Sequence, residues 1–206
     1  ILIWIYTHRA GIKTIVYTDT VQTLSMLAAV VFTVIAIGNQ MDLGILGIIS
    51  EVRESDYSQM FFFEGGWEDP NNFFKQFISG ALITVVMTGL DQDMMQKNLS
   101  CRNIGEAQMN MYSFSIILIL ANVLFLALGA LLYIYSAEIQ MSIPEQSDKL
   151  FPMMALTKLP VYVGVVFVVG LIAAAYSSAD SALTSLTTSF CIDFLDFEKK
   201  EVTGQK

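Results

Sequence analysis

An apolar stretch of twenty residues, from 116 to 135, constrains this chain more than any other feature. Asn122 is its only strongly polar side chain. With a rise of about 1.5 Å per residue, a helix of this length spans about 30 Å, the thickness of the hydrocarbon core of a bilayer. A buried helix in a water-soluble protein is seldom apolar on every side over such a length. The stretch therefore predicts a transmembrane helix.

Other parts of the chain have the same character. The predicted spans are residues 15–38, 73–96, 112–136 and 159–193, with 1–6 as the tail of a further helix. Only 15% of the residues are charged, whereas soluble domains carry about a quarter. We therefore expect one all-α domain over 1–206, a polytopic transmembrane helix bundle in the cell membrane. Since the chain begins inside an apolar run and ends directly after a helix, we expect an internal fragment.

Basic residues alternate between the predicted spans. Linkers 7–14 and 97–111 and the C-terminal tail carry Lys and Arg, so the positive-inside rule places all three on the cytoplasmic side. The loop 39–72 is predominantly acidic and is expected to form short helices on the extracellular side. The sequence has no basic stripe and no aromatic–basic patch, so nucleic acid is not an expected partner. Lipid is.

Carboxylates occur at or near the depth of the membrane. On insertion scales an Asp at the centre of a span costs about 2.5 to 3.5 kcal/mol. Such side chains must face the bundle interior, water or a cation. Asp91 and Asp93 have a second interpretation, in which they simply reach the headgroup region. The residues concerned are Asp19, Asp91, Asp93 and Asp180.

Small and hydroxyl side chains share one face of the last predicted span. They recur at steps of three and four residues, which brings them to the same side of a helix. Hydroxyl and carbonyl oxygens are ligands for hard cations. Small residues also allow close helix packing in membranes, so both interpretations remain open from periodicity. The residues are Ala174, Ser177, Ser178, Ser181 and Ser185.

The span predicted at 73–96 turns polar part-way along, where Gly89 and Leu90 are followed by Asp91, Gln92 and Asp93. This pattern is typical of an interrupted helix, and transporters bind substrate at such breaks. We therefore regard Asp91, Gln92 and Asp93 as candidates for contacting substrate or a gate. A helix that reaches the cytosolic interface at Asp91 is the alternative.

Three segments resemble the sodium:solute symporter family, which includes sodium/glucose cotransporters and the bacterial sodium/proline permease. Residues 10–22 (AGIKTIVYTDTVQ) are similar to the family's Gly-Gly-x-x-Ala-Val-x-x-Thr-Asp-x-x-Gln. Residues 91–97 (DQDMMQK) resemble Asn/Asp-Gln-x-x-x-Gln-Arg/Lys. Residues 177–185 (SSADSALTS) resemble Ser-Ser-x-x-Ser-x-x-Asn-Ser. Their order and spacing also fit the family.

The resemblance implies a LeuT-like inverted-repeat fold, of which this chain holds the tail of core helix 4 and core helices 5 to 8. It also implies a sodium site with the Ala174 carbonyl and the Ser177 and Ser178 hydroxyls. A second sodium site is implied at Asp19, Asp180 and Ser181. Many family members have a small residue at the position of Asp180, so this carboxylate either strengthens the second site or binds a proton.

The implied activity is sodium-coupled symport of a small organic or anionic solute, with Na⁺ as coupling ion and sole metal. No cofactor and no catalytic residues are expected. Sugar-transporting relatives have Asn and Tyr where Asp91 and Asp93 stand, which argues against sugar specificity. The alternative is a symporter-like input domain of a sensor kinase. A membrane-embedded enzyme is disfavoured, because the lone His8 lies in a basic linker.

Overall fold

The computed structural model describes residues 12–195, with side chains from Val16 onward. The predicted helix tail at 1–6, most of the linker 7–14 and the basic C-terminal tail lie outside the described residues. Within the described range every regular element is helical. The helices are α1 (Ile12–Gln40), α2 (Ile45–Glu54), α3 (Phe73–Leu90), α4 (Gln92–Leu99), α5 (Ile104–Glu138), α6 (Leu150–Thr157) and α7 (Val161–Ser189), which continues into a π-helical turn at Phe190–Phe194.

Four helical segments are long and apolar enough to cross a bilayer. They are Val16–Gln40, Phe73–Leu90, Ile104–Glu138 and Val161–Phe194. For the described residues, the prediction of an all-α structure with several helices long and apolar enough to span a membrane is therefore confirmed.

The boundaries of two helices differ most from the predicted ones. Helix α5 begins at Ile104 rather than at 112, because a capping box starts it early. The Asn103 side chain accepts from the Glu106 N–H (2.9 Å), and the Glu106 carboxylate accepts from the Arg102 N–H (3.1 Å). The first contact satisfies a backbone donor that the first turn of a helix leaves without a partner, and the second fixes the residue before the cap. The span predicted at 73–96 is divided, since α3 ends at Leu90 and α4 begins at Gln92.

The chain forms two compact units, which are described separately. The apolar unit comprises residues 19–62 and 112–174, and the serine unit comprises 63–111 with the described residues of 12–18 and 175–195. The core of the apolar unit is built from α1, α5, α6 and α7. Its fully buried side chains include Val30, Ile37, Leu131, Met154 and Val163.

Helix α6 lies between the predicted spans 112–136 and 159–193, where no helix was predicted from the sequence. Its residues Leu150, Met154 and Ala155 are buried in the apolar unit. Burial of these apolar side chains stabilises a helix that is too short to persist by propensity alone.

Helices α1 and α7 approach closely within the apolar unit. A Cβ placed on Gly170 of α7 would lie 2.9 Å from the Ala29 Cβ and 3.3 Å from the Ser25 carbonyl oxygen of α1. Real Cβ atoms do not come so near. Glycine at 170 is therefore a requirement of this helix contact.

The loop 39–72 contains α2 and two 3₁₀ turns, at Asp56–Ser58 and Gly66–Glu68. Two residues after the end of α1, Asp42 lies in the left-handed region (φ 53°), and the Leu43 N–H donates to the Gly38 carbonyl over 2.8 Å. Ile48 and Val52 of α2 then pack against the apolar core. Charged residues of α2 such as Glu51 and Arg53 remain outside that core.

The serine unit contains the interrupted helix and the second half of α7. Asn72 caps α3 by accepting from the Phe74 and Lys75 N–H groups. No residue of α3 is buried among the described residues, and its apolar side chains are available to lipid or to other helices. This unit holds the polar residues that the sequence singled out at 91–93 and 177–185.

Candidate functional site

Hydroxyl groups in the second half of α7 fall into two classes. Those of Thr184, Ser185 and Thr187 donate to carbonyl oxygens four residues earlier, over 2.8, 2.8 and 2.6 Å. A hydroxyl that bonds in this way needs no partner from another helix. Ser181 belongs to the second class, because it donates to a side chain on α4.

Asp180 is fully buried, with a relative exposure of 0%. It is the only charged side chain in the buried class among residues 16–195. A buried carboxylate requires hydrogen bonds or a positive partner, because removing its charge from water is expensive. The surrounding protein therefore shields the Asp180 side chain from solvent.

The first predicted sodium site lies on adjacent turns of α7. Ala174 and Ser177 are half-buried, and Ser178 is exposed in this chain. Their helix is regular at this point. The carbonyl of Ala174 is consequently placed one turn before the Ser178 hydroxyl, as the three- and four-residue steps predicted.

Asp19 lies in α1 and is half-buried. One turn later, the Gln22 amide oxygen is buried and has no hydrogen-bond partner among the described residues. An amide oxygen is a hard ligand of the type that cations prefer. Gln22 is the last residue of the Thr-Asp-x-x-Gln segment, and no role was predicted for it.

Asp93 is the residue that connects α4 with α7 in the serine unit. Its Oδ2 atom accepts from Lys97 Nζ (2.8 Å) and from Ser181 Oγ (3.0 Å). The structure thus brings together Asp93 and Ser181, which had been assigned to different candidate sites. Lys97 had been assigned to the cytoplasmic linker and to the family-like segment 91–97, but not to a candidate site.

Asp91 has an observed structural role. Its backbone is extended (φ −73°, ψ 119°), and its Oδ1 accepts from the Met94 N–H over 2.9 Å, which caps α4. Gln92 is half-buried at the first position of that helix. Contact of Asp91, Gln92 or Asp93 with substrate or a gate stays a prediction.

Clusters of three or more His, Cys, Asp or Glu side chains are absent from the described residues. The oxygen donors described above are hydroxyl, amide and carbonyl groups and single carboxylates, a type of ligand that hard cations prefer.

The chain resembles two curated symporters. It is 24% identical to the sodium/sialic acid symporter NanT of Aliivibrio fischeri, in a match that covers 100% of this chain and 41% of the relative. It is also 24% identical to the sodium/sialic acid symporter SiaT of Proteus mirabilis, over 92% of this chain and 38% of the relative. The chain thus spans about two fifths of the length of these relatives. No solved structure gave a significant match.

Neither curated relative is a sensor kinase by name, so the alternative of a kinase input domain gains no support. The model of the sodium:solute symporter family matches residues 1–205, nearly the whole chain. The chain belongs to the sodium:solute symporter family, a family of transporters and not of enzymes.

Proposed function

We propose that the complete protein carries out sodium-coupled symport of a small solute across the cytoplasmic membrane. The observation that carries this proposal is the buried Asp180 beside the hydroxyl-bearing face of α7. In a membrane-spanning helix, polar groups turned into the protein mark ion or substrate pathways. Family membership supports the same activity.

Two sodium ions are assigned on the basis of the motif match. The Ala174 carbonyl and the Ser177 and Ser178 hydroxyls hold one. The second is assigned to Asp180 and Ser181 of α7 and to Asp19 of α1. If Asp180 binds a proton instead, the second site uses the remaining oxygens.

The fold and orientation follow from the same assignment. The proposed fold is LeuT-like, with α1 as core helix 5, α3 and α4 as the two halves of core helix 6, α5 as 7 and α7 as 8. Basic linkers and the C-terminal tail lie on the cytoplasmic side, since Lys and Arg mark that side. The loop 39–72 is then extracellular.

Coupling requires that sodium binds one conformation more tightly than another. Each sodium ion that crosses a potential of 100 mV releases about 2.3 kcal/mol. Since about 1.4 kcal/mol corresponds to a factor of ten in concentration, each net positive charge that enters with the solute can sustain about 1.6 decades of solute gradient. For a monovalent organic anion this electrical gain requires two sodium ions, because one sodium ion and one anion together carry no net charge.

The solute is proposed to be a small organic acid. Both curated relatives are named for sialic acid, which makes sialic acid the first compound to test. Asp93 stands where sugar-transporting relatives have Tyr, and loss of the ring removes a stacking surface for a sugar.

The test is sodium-dependent uptake by the complete protein in proteoliposomes. Ser178→Ala and Asp19→Asn should each raise the sodium concentration that gives half-maximal uptake by about tenfold, since each removes one oxygen ligand or its charge. Thr187→Ala is the matched control, because its hydroxyl donates to the Leu183 carbonyl of its own helix. Sodium dependence that is unchanged in both variants would refute the assignment.

A further inference from the structure

The contact between Asp93 and Ser181 joins two helices at the interruption of the membrane span. Asp93 lies in the first turn of α4, directly after the break at Asp91. Its side chain is 14% exposed and that of Lys97 is 27% exposed. The hydrogen bond and the ion pair are therefore both largely shielded from water.

The hydrogen bond to Asp93 determines which part of the Ser181 hydroxyl remains available to a ligand. A serine hydroxyl has one hydrogen to donate and two lone pairs to offer. Ser181 donates its hydrogen to the Asp93 carboxylate, so its lone pairs point away from that group. A hydrogen bond to an ionised acceptor is stronger than a neutral one and polarises the donor. The Ser181 oxygen is thereby made a better ligand for a cation.

Lys97 holds the carboxylate in its position. The two residues are four apart on α4, a spacing at which oppositely charged side chains meet on a helix surface. Both contacts use the same oxygen, Oδ2. Lys97 thus fixes Asp93 from its own helix while Ser181 reaches it from α7.

We propose that Asp93 is a positioning residue for sodium at Ser181 and not a residue that binds substrate. This inference rests on the proposed function. Asp93 orients the Ser181 hydroxyl, and Lys97 orients Asp93. A movement of α4 changes the ligand that α7 presents, and by thermodynamic reciprocity an ion on Ser181 favours the position of α4 seen here.

The experiment uses the complete protein and two measurements. Uptake gives the sodium concentration for half-maximal transport and, at saturating sodium, the KM for solute. Thermal unfolding in sodium chloride against choline chloride reports sodium binding without transport, since a bound ion raises the unfolding temperature.

Asp93→Ala should raise the sodium concentration for half-maximal uptake by about tenfold, because it removes a charge-assisted hydrogen bond. The KM for solute at saturating sodium should not change. Asp93→Asn keeps an acceptor for Ser181 without the charge, so its effect should be smaller. The double variant Asp93→Ala/Ser181→Ala should be no worse than the worse single variant, because both remove the same contact. Thr187→Ala is again the control.

Two results would overturn the inference. One is a raised KM for solute in Asp93→Ala with unchanged sodium dependence, which would return Asp93 to the substrate cavity. The other is full additivity in the double variant. If Asp93→Ala does not fold, the sodium-dependent unfolding shift of Asp93→Asn decides: a reduced shift supports the proposal and an unchanged shift refutes it. Failure of Ser178→Ala and Asp19→Asn to alter sodium dependence would instead refute the proposed function itself.

Discussion

The contact between α1 and α7 gives a sharp prediction about stability. A methyl group on Gly170 would lie 2.9 Å from the Ala29 Cβ, whereas carbon atoms in favourable contact are about 3.5 to 4.0 Å apart. The helices must therefore separate locally by about 0.6 to 1.1 Å. Rotation of a side chain cannot relieve the contact, because the next nearest atoms are the Ser25 carbonyl oxygen (3.3 Å) and the Met26 Cα (3.4 Å).

Gly170→Ala should lower the free energy of unfolding by about 1 to 3 kcal/mol, the usual range for overpacking. Thermal unfolding of the complete protein in detergent measures this loss. Adding Ala29→Gly to the Gly170→Ala variant removes the opposing methyl group and should restore part of the lost free energy of unfolding. Gly129→Ala is the matched control, because a Cβ at 129 meets no described atom within 4 Å. Equal stability of Gly170→Ala and Gly129→Ala would show that α1 and α7 do not pack as described.

Two further predictions concern packing and capping. Met154→Ala should destabilise the protein by about 2 to 5 kcal/mol, because it leaves a cavity in the core. Leu156→Ala on the same helix should have a much smaller effect, because the Leu156 side chain is 57% exposed. Similar unfolding temperatures for the two variants would contradict the burial of α6. Asp91→Ala should lower the free energy of unfolding by about 1 kcal/mol, because it removes the cap of α4, whereas Asp91→Asn should leave that free energy unchanged. A raised KM for solute in Asp91→Asn would show that the carboxylate also contacts substrate.

Hydropathy predicted the membrane-spanning helices because a bilayer imposes a length and an apolar composition on each span. The interruption near Asp91 was also expected, from Gly89 and the polar residues after it. Signals of shorter range were overlooked. The capping box at Asn103 and Glu106 is visible in the sequence and would have placed the start of α5 at Ile104.

Contacts between distant residues could not be predicted in this way. Asp93 and Ser181 are 88 positions apart, and each had a plausible separate role. Helix α6 depends on burial of Leu150 and Met154 against other helices, which local propensity does not reveal. The close approach at Gly170 likewise depends on which helix lies opposite.

Gly170 precedes the small and hydroxyl residues of α7 for which packing and cation binding were both open. Close packing is observed at Gly170, where α1 comes so near that a methyl group at this position would collide with it. Such packing requires small side chains but no charge. Further along, Asp180 is fully buried and Ser181 is turned toward a carboxylate. Packing alone gives no reason to bury a charge in a membrane-spanning helix, whereas a pathway for a cation does. The second half of α7 is therefore where the search for bound sodium should begin.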